Sequence, residues 1–384
     1  MRFTVSCAEL NKRLSVMIKV TVNNSSMPLT QDFLLTIKDD QLFMRATDME
    51  SVINTHMPLI DADENFNFTI PAKTFYDSIK ELSDQPIRFD LDPETLALTI
   101  EYSNGKFNFV ATTVNTEQFP ILKDAENVQA ELTIGAQSLL KGISSTIFAT
   151  GDDPLRPIMN GIVLDIKENN VTFVATDARK LVRLVNNNYG DKMYGTTAES
   201  GEVLVVLRKK PMALIKSILS KDDYDVHFTF GANNWTMHMP DYEMSSLLIE
   251  GRFPNYNAVI PQNNPYTIWV DRLTLLAALK RVSICADEAS NLVRMEIKSN
   301  NIQISAQSLD YSSYAVEDVP CQFDGSDMLI GFKADYLMTM LSNIETNDVV
   351  IKLSDAARAA LVLPAENDEG EDLLMLLMPM MIKA

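Results

Sequence analysis

The sequence predicts an α+β protein made of three tandem copies of one domain, each with two helices packed on antiparallel sheets. Three similar segments support this prediction. They are LTIKDDQLFMRATD at 35–48, LDIKENNVTFVATD at 164–177 and MEIKSNNIQISAQS at 295–308. Their Ile-Lys pairs are spaced 129 and 131 residues apart, and a nearly constant period indicates an internal repeat. A unit of this length is too long for a solenoid repeat, so each copy is a whole domain.

The elements of each copy follow the same order. An amphipathic helix comes first, because apolar residues recur at intervals of three and four. These helices are expected at 7–19, 136–148 and 271–283. The repeated segments come next, and each reads as a strand, a polar turn of Asp, Asn or Ser, and an alternating strand.

A second amphipathic helix then follows a short strand. The three segments are 70–82, 206–219 and 330–344, and β-rich stretches such as PIRFDLDPETLALTI come after them. Helices that cover one face of antiparallel strands make an α+β domain. Segments that are polar or contain proline separate the copies, so we expect domains at 1–125, 126–257 and 258–384.

Composition and cysteine use indicate a cytoplasmic protein. The opening MRFTVSCAELNKRL lacks the apolar stretch of a signal peptide. The apolar run Leu373–Ile382 is shorter than the roughly 20 residues that a membrane span needs. Cys7, Cys285 and Cys321 lie far apart without Cys-x-x-Cys spacing, which favours a reducing compartment and argues against a zinc site.

Positive charge is concentrated in the predicted helices. The chain has 33 Lys+Arg against 52 Asp+Glu, a net charge of −19. Six helical windows nevertheless carry +9, which leaves −28 on the rest. The windows are 6–19, 72–82, 136–148, 208–220, 271–283 and 333–344. Positive helices on a negative body indicate a surface that holds a polyanion through its phosphates, and no base-reading element is present. The alternative is that these lysines lie on solvated helix faces and bind nothing.

Candidates for catalysis are few. His56, His227 and His238 lie at strand-like positions without partnered spacing, and no phosphate loop, nucleophile elbow or metalloprotease motif occurs. Asp48 and Asp177 occupy equivalent repeat positions, where capping of a turn explains them better than a catalytic carboxylate pair. The sequence therefore predicts a protein that is not an enzyme and has no cofactor or metal site.

The most specific segments are NGIVLDIKENNVTFVATDARKL, GRFPNYNAVIP, IGFKADYL and the closing MPM. On these, the chain resembles the beta subunit family of bacterial DNA polymerase III, the sliding clamps, over its whole length. The resemblance implies DNA-clamp domains in a head-to-tail ring homodimer, with helices lining the hole and sheets outside. It implies a processivity factor that encircles duplex DNA independently of sequence. Its partners would be the replicative polymerase, the clamp loader and other proteins that carry a clamp-binding peptide.

The resemblance also assigns roles to residues. The DNA-facing candidates are Lys12, Arg13, Lys73, Lys80, Lys141, Lys209, Lys210, Lys216, Lys280, Arg281 and Lys333. The partner-peptide groove is expected at Met159, Thr176, Arg179, Lys180, Leu181, Pro254, Val259, Tyr336, Met378, Pro379 and Met380. The dimer interface is expected at Phe107, Phe109, Ile284 and Cys285. The family commonly has Gly-His-Arg where this chain has Ala178, Arg179 and Lys180, and it commonly has arginine at Asn24 and Ala258; Lys383 and Ala384 extend its usual end. The family's exact peptide preference and its DNA contact in the early loop are therefore not carried over.

The apolar tail has two expected parts. Leu373–Leu377 is predicted to be the last strand, and Met378, Pro379 and Met380 one wall of the groove; the alternative is a tail packed wholly into its own core. Two other functions compete with the clamp. One is an interaction scaffold that never meets DNA, and the other is a hydrolase using Asp48 or Asp177.

Overall fold

The computed structural model describes the chain except residues 23–26, 123–124, 169, 188–193, 196–200, 220–223, 309, 311, 324 and 383–384, and it describes the backbone alone at 194–195. The first third contains β1 (Arg2–Ser6), α1 (Cys7–Met17), β2 (Asp32–Lys38), β3 (Gln41–Thr47), β4 (Ser51–Pro58), β5 (Asp61–Ala62), β6 (Phe66–Pro71), α2 (Ala72–Ile79), β7 (Pro86–Leu91), β8 (Ala97–Tyr102) and β9 (Gly105–Val110).

The other two thirds repeat this order of elements, except that the described residues of the last third form no strand equivalent to β5. The middle third contains β10 (Ala130–Gly135), α3 (Ala136–Thr146), β11 (Gly161–Lys167), β12 (Val171–Thr176), β13 (Lys180–Asn186), β14 (Tyr194–Gly195), β15 (Glu202–Arg208), α4 (Lys209–Ile218), β16 (Asp225–Phe230), β17 (Asn234–His238) and β18 (Tyr242–Leu247). The last third contains β19 (Tyr266–Asp271), α5 (Arg272–Val282), β20 (Leu292–Lys298), β21 (Asn301–Ser308), β22 (Ser313–Pro320), β23 (Met328–Lys333), α6 (Ala334–Ser342), β24 (Asp348–Leu353), β25 (Ala360–Pro364) and β26 (Glu371–Leu377).

The predicted repeat is confirmed at the level of elements. The three repeated segments form the antiparallel pairs β2–β3, β11–β12 and β20–β21. Both predicted helices are present in each copy, and polar side chains begin some of them, since Asp271 Oδ1 accepts a hydrogen bond from Thr274 N at the start of α5. In the described part of the chain, no helix is both long and apolar enough to cross a membrane.

Two compact units emerge from the packing within the chain. The first consists mainly of Met1–Gln137 and Ala213–Leu248, and the second of Ser138–Tyr194, Glu199–Met212 and Ile249–Ala384. The first unit contains a five-stranded sheet, β5-β1-β7-β8-β9, and a nine-stranded sheet, β14-β10-β16-β17-β18-β4-β3-β2-β6. In the nine-stranded sheet, β18 of the middle repeat pairs with β4 of the first, and a hydrogen bond of 3.0 Å joins Ser51 Oγ to Ser246 Oγ.

The second unit is built in the same way. It contains an eight-stranded sheet, β15-β11-β12-β13-β26-β25-β24-β19, and a four-stranded sheet, β22-β21-β20-β23. In the larger sheet β13 of the middle repeat pairs with β26 of the last, with Leu181 opposite Leu376. Every residue of Leu373–Leu377 is buried, so the predicted last strand is confirmed, and burial on both faces explains its unbroken apolar run.

Candidate functional site

A groove lies in the second unit where the chain leaves β26. Met378 N–H donates to Arg179 O at 2.9 Å, and Met380 N–H donates to Gly331 O at 2.8 Å. The segment therefore crosses from the turn after β12 to strand β23. Pro379, between the two methionines, has no N–H to donate, so the crossing presents side chains in place of an open strand edge. Met378 is 42% exposed, which rules out a tail packed wholly into its own core.

The turn between β12 and β13 forms the opposite wall. Asp177 Oδ1 accepts hydrogen bonds from Arg179 N at 2.8 Å and Lys180 N at 2.9 Å. Thr176 Oγ1 donates to Lys180 O at 2.7 Å and closes the turn from below. Ala178 has φ = 72°, a left-handed conformation that costs a residue with a Cβ roughly 1 kcal/mol relative to glycine. The capping hydrogen bonds hold the turn in this conformation.

A buried lysine of this turn, Lys180, contacts α6. Lys180 Nζ lies 2.5 Å from Asp177 Oδ2, and the Lys180 side chain is only 8% exposed. The same ammonium lies 4.1 Å from the centre of the Tyr336 ring, and Lys333 Nζ lies 4.9 Å from that centre. A cation this close to an aromatic face is attracted by the ring quadrupole. Two lysines from different repeats thus meet on one tyrosine.

Ionisation of the turn follows from these interactions. Burial raises the pKa of Asp177, but hydrogen bonds from the Lys180 side chain and from the N–H groups of Lys180 and Arg179 outweigh it and hold that pKa below its ordinary value. Burial raises the pKa of Tyr336, and the nearby Asp177 carboxylate raises it further. Asp177 is therefore a carboxylate, and Tyr336 a neutral phenol, at neutral pH.

Two adjoining cavities make up the groove. One, of about 310 Å³, is lined by Arg179, Ala289, Ser290, Lys333, Tyr336, Met378, Pro379 and Met380. The other, of about 260 Å³, is lined by Gly151, Asp152, Asp153, Arg156, Met159, Asp177, Arg179 and Tyr336. Arg179 and Tyr336 line both, so the two cavities form one continuous groove that is apolar beside the tail and polar beyond Tyr336.

Most of the expected groove residues come together here. Met159, Arg179, Tyr336, Met378, Pro379 and Met380 line the two cavities, and Lys180 packs on Tyr336. Thr176 and Leu181 are buried beneath the turn. Pro254 lies instead on a separate cavity of about 410 Å³, and Val259 is 58% exposed on a 3-10 helix at Tyr256–Val259.

One basic residue of the groove, Arg156, was not predicted from the sequence. Arg156 lies in the loop before β11, where its Nε donates to Asp153 Oδ2 at 2.9 Å. Asp153 Oδ1 also accepts from Leu155 N, and Asn160 accepts from Asp153 N, so the loop is fixed by its own side chains. The only sequence signal was its position three residues before Met159.

The expected DNA-facing residues differ in how far they are exposed to solvent. Lys12, Lys73, Lys80, Lys210, Lys280 and Arg281 are exposed, and Lys141, Lys209 and Lys216 are half-buried. Several already have acidic neighbours: Lys209 Nζ lies 2.9 Å from both carboxylate oxygens of Asp152, and Lys141 pairs with Glu371 and Asp368. The Lys209–Asp152 pair is exposed, and an exposed ion pair contributes at most about 1 kcal/mol, so a phosphate can replace the Asp152 carboxylate.

The structure corrects two of the DNA-facing predictions. Arg13 is buried, with Nε donating to His56 O at 2.8 Å and one terminal nitrogen 2.6 Å from a carboxylate oxygen of Glu9. Its position on α1 faces inward beside Leu10 and Leu14, because these residues share one face of the helix. Lys333 is the residue just before α6, and it lies in the groove against Tyr336.

The two aspartates that might have been catalytic are turn caps, as predicted. Asp48 Oδ1 accepts from Glu50 N and Ser51 N, which is the pattern of Asp177 in the equivalent turn. Among the described residues, no group of three or more His, Cys, Asp or Glu side chains is arranged to hold a metal ion.

Two sheet edges carry the expected interface residues. Strand β9 ends the five-stranded sheet of the first unit, with Phe107 and Phe109 half-buried. Strand β22 ends the four-stranded sheet of the second unit, where Tyr314 is 62% exposed. Ile284, on the 3-10 helix Ser283–Cys285 beside β22, is 82% exposed, whereas Cys285 is half-buried. Each edge presents unpaired strand backbone together with apolar side chains.

Comparisons with known proteins match the whole chain. Models of the DNA polymerase III beta subunit match its N-terminal domain at residues 1–123, its central domain at 133–255 and its C-terminal domain at 257–380. The beta sliding clamp of Haemophilus influenzae is 28% identical, covering 99% of this chain and all of the relative. A crystal structure of the DNA polymerase sliding clamp from Pseudomonas aeruginosa has a TM-score of 0.90 at 25% identity and full coverage of both chains. A Pseudomonas aeruginosa clamp bound to griselimycin has a TM-score of 0.91, also at 25% identity and full coverage of both chains.

Proposed function

The chain belongs to the DNA polymerase III beta subunit family, the sliding clamps, and from this membership we propose which of its residues hold partner peptides, duplex DNA and a second subunit. Members of this family are non-catalytic processivity factors of DNA replication. A sliding clamp encircles duplex DNA and tethers the replicative polymerase, and this chain has that function. We propose that the protein functions in the cytoplasm.

The ring is proposed to contain six like domains. Domains at 1–125, 126–257 and 258–384 of one subunit would meet those of a second subunit head to tail. Such an interface joins unlike surfaces and closes when two copies complete a circle. The edge strands β9 and β22 supply unlike surfaces, with Phe107 and Phe109 on one and Ile284 and Cys285 beside the other. Exposed edge strands pair readily with another chain, which supports these edges as the interface.

The groove is proposed to bind short peptides of the polymerase, the clamp loader and other DNA-handling proteins. The observation that supports this most directly is the crossing of Met378–Met380 beside the apolar cavity. Methionine side chains are flexible and polarisable, so such a wall can repack around different guests. Arg179 and Tyr336 supply polar groups that orient the peptide, and the buried Lys180 supports the Tyr336 ring in the groove wall.

We propose that duplex DNA runs alongside the basic helices. Without Arg13 and Lys333, the proposed DNA-facing residues are Lys12, Lys73, Lys80, Lys141, Lys209, Lys210, Lys216, Lys280 and Arg281. A closed ring stays on DNA topologically, so weak attraction to phosphates is sufficient and permits sliding. The acidic remainder of the chain repels DNA from the other surfaces.

A processivity assay tests this function. The polymerase and clamp loader of the same cell extend a primed circular template under a trap that prevents rebinding of the polymerase. We expect this protein to lengthen the products made in one binding event. Products of unchanged length, with a polymerase that is active on its own, would contradict the proposal.

A further inference from the structure

Two of the three histidines of the chain meet on the exposed face of the nine-stranded sheet. His227 on β16 lies directly opposite His238 on β17, because the two are cross-strand partners. Side chains of directly paired residues point to the same face, with Cβ atoms about 4.5–5.5 Å apart. Both histidines are exposed, whereas their neighbours Phe228 and Met237 are buried on the other face. The turn at 231–233 separates the pair along the chain, so no short motif reveals it.

One ring nitrogen of each histidine faces a polar neighbour in the same row of the sheet. His227 Nδ1 lies 2.9 Å from Thr133 Oγ1 on β10, and His238 Nδ1 lies 3.6 Å from Glu243 Oε2 on β18. Asn54 Nδ2 donates to Glu243 Oε1 at 3.2 Å and holds that carboxylate from its other side. A neutral imidazole carries a proton on one nitrogen only. A hydroxyl or carboxylate that attracts this proton to Nδ1 leaves a lone pair on Nε2.

We propose that His227 and His238 together bind a divalent transition-metal ion of the Zn²⁺, Ni²⁺ and Cu²⁺ class, each through its Nε2 atom. Imidazole nitrogen is a ligand that these ions prefer. A histidine that binds a metal usually donates its other ring N–H to an oxygen, which fixes the tautomer and the direction of the ring. Thr133 and Glu243 are placed to accept these N–H groups. The register and the matching contacts of both Nδ1 atoms therefore support a pair of ligands.

The coordination sphere of this ion is open. A zinc site that stabilises a fold has four protein ligands as a rule. Here the Glu243 carboxylate faces Nδ1 of His238, and among the described residues no group of three His, Cys, Asp or Glu side chains could hold a metal. Two histidines and water molecules therefore complete the site, and the ion exchanges with the solvent. The site lies in the first unit, whereas the groove lies in the second.

Ring signals of the three histidines test the proposal on the wild-type protein. The protein carries ¹³C at the histidine Cε1 atoms, has no affinity tag, and is titrated with zinc chloride at about pH 7.5, because protons compete with metals for imidazole. We expect the NMR signals of His227 and His238 to shift along one saturation curve that ends at one ion per subunit. His56 is the internal control and should not shift, since it lies on β4 and β18 separates that strand from β17.

Single substitutions assign the three signals and separate the pair from other zinc-binding groups. His227→Gln and His238→Gln should each weaken Zn²⁺ binding by about tenfold or more, because the second ligand of a pair acts at high effective concentration. His56→Gln should bind like the wild type. Thermal unfolding without metal checks that the fold is unchanged. Wild-type affinity in both variants of the pair would place the ion elsewhere and overturn the proposal, as would a wild-type protein that takes up no Zn²⁺.

Competition with Mg²⁺ distinguishes the histidine pair from an adventitious ion on the acidic surface. Mg²⁺ prefers oxygen ligands and keeps its water molecules, so an excess should leave the shifts of His227 and His238 unchanged. Loss of these shifts in Mg²⁺, or equal shifts of all three histidines, would show an adventitious ion only and overturn the proposal. None of these measurements uses DNA or a partner peptide, so their outcome is independent of the proposed clamp function.

Discussion

Lys180 and Tyr336 come from different repeats, and the Lys180 ammonium lies 4.1 Å from the centre of the Tyr336 ring. The lysine is held there by Asp177, whose carboxylate also caps the turn after β12. One buried carboxylate therefore positions the turn, the lysine and the tyrosine.

Replacing Asp177 with asparagine should destabilise the second unit and distort the groove. The change leaves Lys180 buried without its counter-ion, which costs roughly 3 kcal/mol, and weakens the turn cap. Thermal unfolding of the variant measures the loss. Asp48→Asn is the matched control, because Asp48 caps the equivalent turn but Ser51 stands where Lys180 would be. An equal loss in both variants would show that the ion pair adds nothing to the cap.

Acid should abolish the same stabilisation. The pKa of Asp177 is lower in the folded protein than in the unfolded chain, so its contribution is complete above the unfolded value of about 3.9 and is lost as pH falls through the lower folded value. The difference in melting temperature between wild type and Asp177→Asn should therefore be constant above about pH 5 and shrink below about pH 4. A difference that grows in acid would contradict the sign of this shift.

Ending the chain after Leu377 should weaken peptide binding by tenfold or more while the protein remains a folded dimer. The truncation removes the Met378–Met380 wall, and burying one such side chain is worth roughly 1.5–3 kcal/mol. Peptide anisotropy and sedimentation measure the two effects. A chain ending after Met380 is the control, since it removes the 94% exposed Met381 and keeps the wall. Undiminished peptide affinity in the shorter chain would exclude the tail as a partner site.

Replacing Lys209, Lys210 and Lys216 with glutamate should weaken DNA association without changing the fold. For each phosphate that the variant no longer neutralises, the log–log salt dependence of binding should flatten by about 0.9 for duplex DNA. Binding to a short linear duplex across a salt series gives this slope. Lys298→Glu, on a strand outside the basic helices, should leave the slope unchanged. The same slope in the triple variant would mean that α4 faces away from DNA.

Replacing Ile284 with aspartate should give folded monomers. Ile284 is 82% exposed within one chain, so the change does not disturb the fold, but a charge buried at an interface without a partner costs several kcal/mol. Sedimentation measures the monomer fraction. Leu155→Asp is the matched control, because Leu155 is 89% exposed and belongs to the loop before β11, not to β9 or β22. A dimeric Ile284→Asp protein would remove this residue from the interface.

The sequence predicted elements and repeats better than side-chain directions. The Ile-Lys periodicity located the strand pairs, and the unbroken apolar run located β26. Arg13 was misplaced because charge counted over a helical window does not say which residue faces inward. Lys333 was misplaced because it precedes α6 and its ammonium packs on Tyr336 in the groove. The pairing of β18 with β4 was also beyond prediction, because it joins Ser51 to Ser246 across 195 residues and the two repeats show no signal for it.

Topological retention on DNA tests the central claim most directly. The wild-type protein is loaded onto nicked circular plasmid by its clamp loader with ATP, and bound protein is separated from free protein by gel filtration in high salt. A ring that encircles DNA should elute with the circle and be released when one restriction cut makes the plasmid linear. Release from both circular and linear DNA in high salt would show an ordinary electrostatic binder. Equal retention on both would show binding that does not depend on encirclement, and either result would contradict the account.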